Sequence, residues 1–181
     1  MHYRYRTIGT ELGHLGFVAS PRGLRRLWLP QRDKNRVVRR ICRQFPEAVE
    51  DRRLMPELAE ALRCFFAGEM VEFAVPIDWG GYTDFQVAVW HACRRIPYGQ
   101  TRSYGSLAAH VGAPRAARAV GTVMKRNPCP IIVPCHRVIA SDGTLGGYSG
   151  SGGVDLKRRL LMMEAEALAA AGGRERDNVA K

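Results

Sequence analysis

One stretch of the chain, residues 131–139 with the sequence IIVPCHRVI, constrains the fold and the chemistry more than any other. Three branched aliphatic residues enter it and two leave it, which predicts a short buried extended segment. Its centre holds a thiol, an imidazole and a guanidinium, which are costly to bury without partners. A nearby imidazole or cation lowers the pKa of a thiol and makes it nucleophilic. Cys135 is therefore either a small core residue, as many free cysteines are, or a nucleophile beside His136.

The charge distribution favours a polyanionic partner. The 181 residues are 46% hydrophobic, as in a globular protein, and carry a formal net charge of +11, an excess that suits nucleic-acid binding. Between Phe85 and Ser141 there is no acidic residue, whereas that segment holds seven arginines, one lysine and the thiol and imidazole of Cys135 and His136. An acid-free basic segment around Cys135 is typical of a surface that contacts a phosphate backbone.

The cysteines and the apolar runs indicate the cellular setting. The sequence has no apolar run of membrane-spanning length and no apolar core of a secretory signal near its start. Its five cysteines form an odd set without CxxC pairs, which argues against a disulfide framework or a zinc site. We therefore expect a cytoplasmic protein with no membrane association and no bound metal.

Residues 1–77 are predicted to form a small α+β domain. Proline and glycine at 20–23 fit a turn between two strands, and apolar residues at helical spacing predict two amphipathic helices. The expected elements are strands at 16–19, 24–29 and 71–77, and helices around 37–45 and 58–66.

A linker at 78–82 is predicted to separate this domain from a mainly helical domain at 83–171. Thr83 precedes Gln86 by three residues, the spacing of a capping box that starts a helix. Residues 172–181 are polar and glycine-containing and are predicted to form a disordered tail. The expected fold class is thus α/β of the α+β kind, with a sheet-plus-helix domain followed by helices around a reactive-cysteine strand.

Two short helices are predicted at 104–111 and 115–124, joined by a turn that contains Gly112. This arrangement indicates a helix-turn-helix. The second helix consists of small residues around one long side chain, Arg118, which suits close approach to a narrow groove and insertion of one probe. A transcription factor that reads base edges usually carries several long polar side chains there. Tight packing against a neighbouring helix, with Arg118 simply exposed, is the alternative interpretation.

The last helix is predicted to begin near Val154 and to place an acid on its apolar face. Leu160, Leu161 and Leu168 share one arc of this helix, and Glu164 falls in the middle of the arc. A carboxylate in such a position needs a partner.

Taken together, the motifs resemble the O6-alkylguanine-DNA alkyltransferases, DNA-repair proteins that act once. The resemblance covers roughly residues 83–168, and it is carried by Pro134-Cys135-His136-Arg137-Val138, by Asn127-Pro128 and by Gly147-Tyr148-Ser149-Gly150. It implies a ribonuclease-H-like N-terminal domain, no cofactor and a monomer, with clustering on DNA as a further expectation. The implied partner is double-stranded DNA that contains O6-alkylguanine, with O4-alkylthymine as a second candidate lesion, bound through the minor groove.

The resemblance also implies a role for each matched residue. Cys135 would attack the alkyl carbon, His136 would accept the thiol proton through a water, and Glu164 would orient His136. Asn127 would brace the turn, and Tyr104 would donate to the departing guanine. The base pocket is expected to be lined by Tyr104, Met124, Pro130, Val138, Tyr148 and Ser149. DNA contacts are expected from Ser103, Arg115, Ala117, Arg118, Ala119, Lys125 and Arg126.

Three other functions remain open on the sequence. Alkyltransferase-like proteins bind such lesions without repairing them, but they have no cysteine at the position of Cys135. A helix-turn-helix transcription regulator is disfavoured by the small residues around Arg118. A cysteine hydrolase would need an oxyanion hole and a path for water.

Overall fold

The N-terminal part of the chain folds around a four-stranded sheet. The computed structural model describes residues 2–148 and 152–179, and only the backbone from residue 173 onward. The strands lie in the order β3-β2-β1-β4, with β4 parallel to β1 and the other pairs antiparallel. Their bounds are Arg4–Thr10 for β1, Gly13–Ser20 for β2, Gly23–Gln31 for β3 and Val49–Glu50 for β4. The predicted hairpin between β2 and β3 is confirmed.

Two helices cover opposite faces of this sheet. Helix α1 (Lys34–Gln44) is capped by the side chain of Asp33, and its buried Val37 and Ile41 pack with Tyr5, Val18 and Trp28. A Cβ at Gly16 would lie only 2.7 Å from Val37 Cγ1, so a glycine allows α1 to approach β2 closely. Helix α2 (Pro56–Phe66) packs with the side chains of the other face, as the alternation of side chains along a strand requires.

The segment 71–77 is not the strand that its alternating pattern predicts. Only Ile77 forms a bridge, to Leu24 of β3. The carbonyls of Phe73 and Val75 accept hydrogen bonds from the guanidinium of Arg94 instead of from a neighbouring strand. A side chain from the helical part of the chain therefore satisfies backbone groups that would otherwise need a ladder partner.

The C-terminal part is mainly helical. Helix α3 (Asp84–Arg94) begins with the predicted capping box of Thr83 and Gln86. The later elements are β5 (Arg102–Ser103), α4 (Tyr104–His110), α5 (Ala117–Lys125), β6 (Val138–Ile139) and α6 (Gly153–Val179). The fold class expected from the sequence is confirmed. Helix α6 continues past residue 172, where the sequence predicts a disordered tail, so the backbone is helical as far as Val179.

The stretch 131–139 is extended only at its end. Cys135–Arg137 form a single 3₁₀ turn, and the two residues of β6 pair with β5. Ile131 has a φ of 75°, and the N–H of Cys135 donates to the carbonyl of Val133 at 2.7 Å. Prolines at 128, 130 and 134 lack the N–H groups that a longer strand would need. The prediction of a buried extended segment was therefore wrong for the turn that holds the cysteine.

One apolar core joins the two parts of the chain. Buried side chains from β2, β3 and α2 belong to the same cluster as those from α3, α5 and the stretch 131–138. The indole of Trp90 on α3 donates to the carbonyl of Val123 on α5 at 3.2 Å. In the described ranges, no helix has both the length and the apolar character needed to cross a membrane.

Candidate active site

Cys135 lies in a braced turn. Its Sγ accepts a hydrogen bond from Nδ2 of Asn127 at 3.1 Å, and the same nitrogen donates to the carbonyl of Val133 at 2.8 Å. Oδ1 of Asn127 accepts from the N–H of Cys129 at 3.0 Å. A single amide side chain thus holds both ends of the loop and contacts the sulfur directly.

The resting sulfur is a thiol. Burial raises the pKa of Cys135, while the hydrogen bond from Asn127 and the charge of Lys157 lower it without cancelling that rise. Because the pKa stays above the ordinary value for a cysteine, the thiol is protonated at neutral pH. Any nucleophilic reaction of Cys135 therefore needs a base.

His136 supplies a buried and uncharged imidazole. Its Nε2 lies 2.7 Å from Oε1 of Glu164, and neither side chain is exposed. Burial lowers the pKa of His136 by more than the contact with Glu164 raises it, so the ring is neutral at pH 7. No described residue hydrogen-bonds to Nδ1, which leaves this nitrogen as the one that can accept a proton.

Arg137 forms an ion pair with Glu164 that was not predicted from the sequence. Its Nε donates to both carboxylate oxygens, and its Nη2 donates to Oε1 at 2.8 Å. The N–H of Gly99 also donates to Glu164, at 3.0 Å. Burial alone would raise the pKa of Glu164, but the hydrogen bonds from His136 and Arg137 lower it to about 2. The sequence signal for this pair is a guanidinium two residues after the cysteine together with an acid on an apolar helical arc.

Lys157 is the second missed residue. Its side chain is fully buried, and its Nζ donates to the carbonyls of Val138 and Leu145. Nζ also lies 5.8 Å from the centre of the Tyr104 ring. Lys157 precedes Glu164 by seven residues, two turns of α6, so the helical spacing that revealed the acid could also have revealed this lysine.

The cavity beside Cys135 contains part of the predicted base pocket. It has a volume of about 370 Å³ and is lined by Tyr104, Gly121, Met124, Lys125, Cys135, Gly147 and Tyr148. Of the other predicted pocket residues, Pro130 lines a neighbouring cavity instead. Val138 is buried, and its carbonyl is bound by Lys157. Ser149 lies outside the described residues.

The predicted DNA-contact residues lie on or beside the helix-turn-helix formed by α4 and α5. Ser103 is the N-cap of α4, and its hydroxyl accepts from the N–H of Ser106 at 3.0 Å. Helix α5 begins at Ala117, two residues later than predicted. Arg115, Arg118, Ala119, Lys125 and Arg126 are exposed, whereas Ser103 and Ala117 are half-buried.

Fold and site together define a class: a helix-turn-helix protein with a buried, hydrogen-bonded cysteine beside its second helix. Comparison with known proteins gives the family. Residues 84–166 match the family model of the 6-O-methylguanine DNA methyltransferase DNA-binding domain. Within the described ranges, no group of three or more histidine, cysteine, aspartate or glutamate side chains is placed to hold a metal ion.

Three relatives illustrate the similarity. The chain is 43% identical over 169 residues to the constitutive methylated-DNA–protein-cysteine methyltransferase of Bacillus subtilis, covering 91% of this chain and 96% of that protein. It is 54% identical over 110 residues to the methylated-DNA–protein-cysteine methyltransferase of Mycobacterium leprae, covering 61% of this chain and 64% of that protein. The crystal structure of Mycobacterium tuberculosis OGT in complex with DNA superposes with a TM-score of 0.75 at 41% identity, covering 91% of this chain and 94% of that one. The chain belongs to the family of methylated-DNA–protein-cysteine methyltransferases.

Proposed function

We propose that this protein repairs O6-alkylguanine in double-stranded DNA by moving the alkyl group irreversibly onto Cys135. One observation carries the proposal: Cys135, hydrogen-bonded by Asn127, lines a cavity that also reaches Gly121 and Met124 on the second helix of the helix-turn-helix. A base that leaves the duplex at this helix enters the cavity that contains the thiol.

The reaction is a single displacement. Sγ of Cys135 forms a bond to the alkyl carbon as the bond from that carbon to O6 breaks. The thiol proton passes to His136 through a water, because no direct hydrogen bond joins the two described side chains. Tyr104, whose pKa is raised by burial and which is therefore protonated, donates a proton to the departing guanine and is reprotonated from His136 through solvent. A thioether has no easy hydrolytic exit, so each molecule acts once.

Glu164 and Asn127 position the reacting groups. Glu164 binds Nε2 of His136 and leaves Nδ1 as the proton acceptor, which is the role of the third group in a nucleophile–base–orienter set. Its charge is balanced in the ground state by Arg137. The chemistry therefore uses side chains of this chain and needs no metal or cofactor.

The proposed repair requires base flipping through the minor groove. An alkyl carbon inside a duplex is out of reach of a buried thiol, so the nucleotide must be extruded. Helix α5 presents small residues and the exposed Arg118, which suits insertion of one side chain into the space that the base leaves. Arg115, Lys125 and Arg126 would contact phosphates. The free state of all five cysteines fits a reducing cytoplasm, and we propose that the protein acts there as a monomer.

The number of lesions repaired per protein molecule tests this function. Duplex DNA carrying O6-methylguanine is given in excess, and the amount of guanine restored is measured at the plateau. We expect one lesion repaired per protein molecule, and no repair by Cys135→Ser, which should still bind the duplex. Repair beyond one equivalent would show a true enzyme, and binding without any repair by the natural chain would show a lesion-binding module.

A further inference from the structure

Cys135 lines two cavities rather than one. Besides the cavity of about 370 Å³ on the side of the helix-turn-helix, it borders a larger one of about 640 Å³ between the active site and the N-terminal sheet. Asn127 and Pro130 contribute to the larger cavity from the active-site side. Strand β3 and helix α1 form its other wall. We call this larger space the interdomain cavity.

The interdomain cavity has a cationic wall. Arg26 on β3, Arg40 and Arg43 on α1 and Lys125 on α5 all line it, and none of its described lining residues is acidic. The guanidinium of Arg26 lies 5.7 Å from the centre of the Trp28 ring. Four cationic side chains with no acidic residue among the described lining make this wall suited to an anion.

The displacement requires space beside the sulfur for the substituent of the alkyl group. Sulfur, carbon and the leaving oxygen are aligned in such a reaction, so the remaining groups on the carbon project sideways from that line. If guanine occupies the smaller cavity, a substituent longer than methyl needs room beside Sγ of Cys135. The interdomain cavity borders the same residue and provides that room.

We infer that the interdomain cavity accepts the O6 substituent and favours substituents that end in a carboxylate. This specificity rests on the proposed alkyl transfer to Cys135. The cysteine displaces guanine from the first carbon of the substituent, the sulfur–carbon bond replaces the carbon–oxygen bond, and the carboxylate stays on the transferred group. Arg26 and Arg43 stabilise that carboxylate and thereby the transition state.

Two free nucleobases of nearly equal size test the inference. O6-(4-carboxybenzyl)guanine and O6-(4-carbamoylbenzyl)guanine differ in the charge of a remote group, and neither carries a phosphate. Any effect of the cationic wall on the ratio of their rate constants therefore acts through the substituent and not through DNA binding. The measured quantity is the rate constant for modification of Cys135 by each compound, followed by intact-protein mass.

The variants are Arg43→Gln and Arg26→Gln, with Arg36→Gln as the matched control. Arg36 is an exposed arginine of α1 that does not line the cavity. We expect the carboxylate-to-amide rate ratio to fall by about three- to tenfold in each cavity variant, the size expected for one partly solvated charge pair. The ratio should stay unchanged in Arg36→Gln. Arg43 is exposed near the end of α1, so its replacement tests the inference even if the half-buried Arg26 is needed for folding.

Two results would overturn the inference. An unchanged ratio in Arg43→Gln would show that the cavity does not bind the carboxylate. An equal fall in Arg36→Gln would show a general effect of net charge. Transfer of methyl groups from duplex DNA by the natural chain separates this failure from a failure of the proposed function: methyl transfer without charge discrimination refutes only the cavity assignment.

Discussion

Glu164 on α6 binds Nε2 of His136 at 2.7 Å, although the two residues are 28 positions apart in the chain. The same carboxylate is paired with Arg137, the next residue after His136. Helix α6 is thereby fixed to the turn that holds the cysteine. This relationship links the stability of the C-terminal part to the chemistry of the site.

Replacing the buried acid Glu164 should lower the stability of the folded protein. In Glu164→Gln the guanidinium of Arg137 loses its charged partner, and breaking a buried ion pair in this way costs about 3–5 kcal/mol of the free energy of unfolding. Urea unfolding measures the loss. The control is Glu166→Gln, which replaces an exposed acid on the same helix. This variant should unfold at the same urea concentration as the natural chain. Equal midpoints for the two variants would mean that the pair contributes nothing to stability.

The same acid predicts a pH dependence of stability. The pKa of Glu164 falls from an ordinary 4.5 to about 2 in the folded protein. A lowered folded-state pKa stabilises the protein above the unfolded-state value, and this contribution is lost as the pH falls from about 4.5 toward 2. The difference in unfolding free energy between the natural chain and Glu164→Gln should therefore shrink over that range. If the unfolding free energies of the two proteins changed in parallel with pH, the lowered pKa of Glu164 would be contradicted.

Lys157 should control the reactivity of the free thiol. Because its charge lowers the pKa of Cys135 against the effect of burial, Lys157→Met should raise that pKa further. The pKa of the Cys135 thiol is obtained from the rate at which iodoacetamide modifies the peptide containing Cys135, measured across a pH series. The control is Arg158→Met, which replaces the next cation on α6, an exposed side chain. It should leave the pH dependence of the modification rate unchanged. Identical profiles for all three proteins would show that Lys157 acts only on the backbone carbonyls.

Arg118 should act on base extrusion and not on the transfer step. If its side chain fills the space of the flipped nucleotide, Arg118→Ala loses part of the few kcal/mol that unstacking requires. Repair of duplex DNA should then fall by about ten- to a hundredfold, while transfer from the free base O6-methylguanine should hardly change.

Arg126→Ala provides the comparison for Arg118. Arg126 is exposed beside the end of α5. Loss of its phosphate contact should weaken binding to all duplexes and reduce the slope of the logarithm of the binding constant against the logarithm of the salt concentration by about one. An equal slowing of both substrates in Arg118→Ala would instead place that arginine in the architecture of the active site.

Local signals allowed much of the fold to be predicted. The hairpin of β2 and β3 and the capping box of Thr83 depend on residues close together in the chain, and both form as expected. Segment 71–77 fails as a strand because Arg94, about twenty residues away, binds its carbonyls. A periodic pattern contains no information about such a distant donor.

Part of the candidate site could be predicted from local patterns, since the motif places Cys135 beside His136 and helical spacing places Glu164 on an apolar arc. The ion pair of Arg137 and the buried cation of Lys157 depend on where α6 packs against the 3₁₀ turn. The interdomain cavity depends on how β3 and α1 approach Cys135. These are tertiary arrangements, and none of them was predicted from the sequence.

The most direct test of the account is the mass and location of the transferred group. The protein is incubated with excess duplex DNA that contains O6-methylguanine, and the intact mass and the peptides are then measured. We expect one added methyl group, located on Cys135, because this residue lines both cavities and its sulfur accepts a hydrogen bond from Asn127. A methyl group on Cys129, which is fully buried nearby with its pKa raised to about 12 by burial, or repair without any modification of the protein, would contradict it.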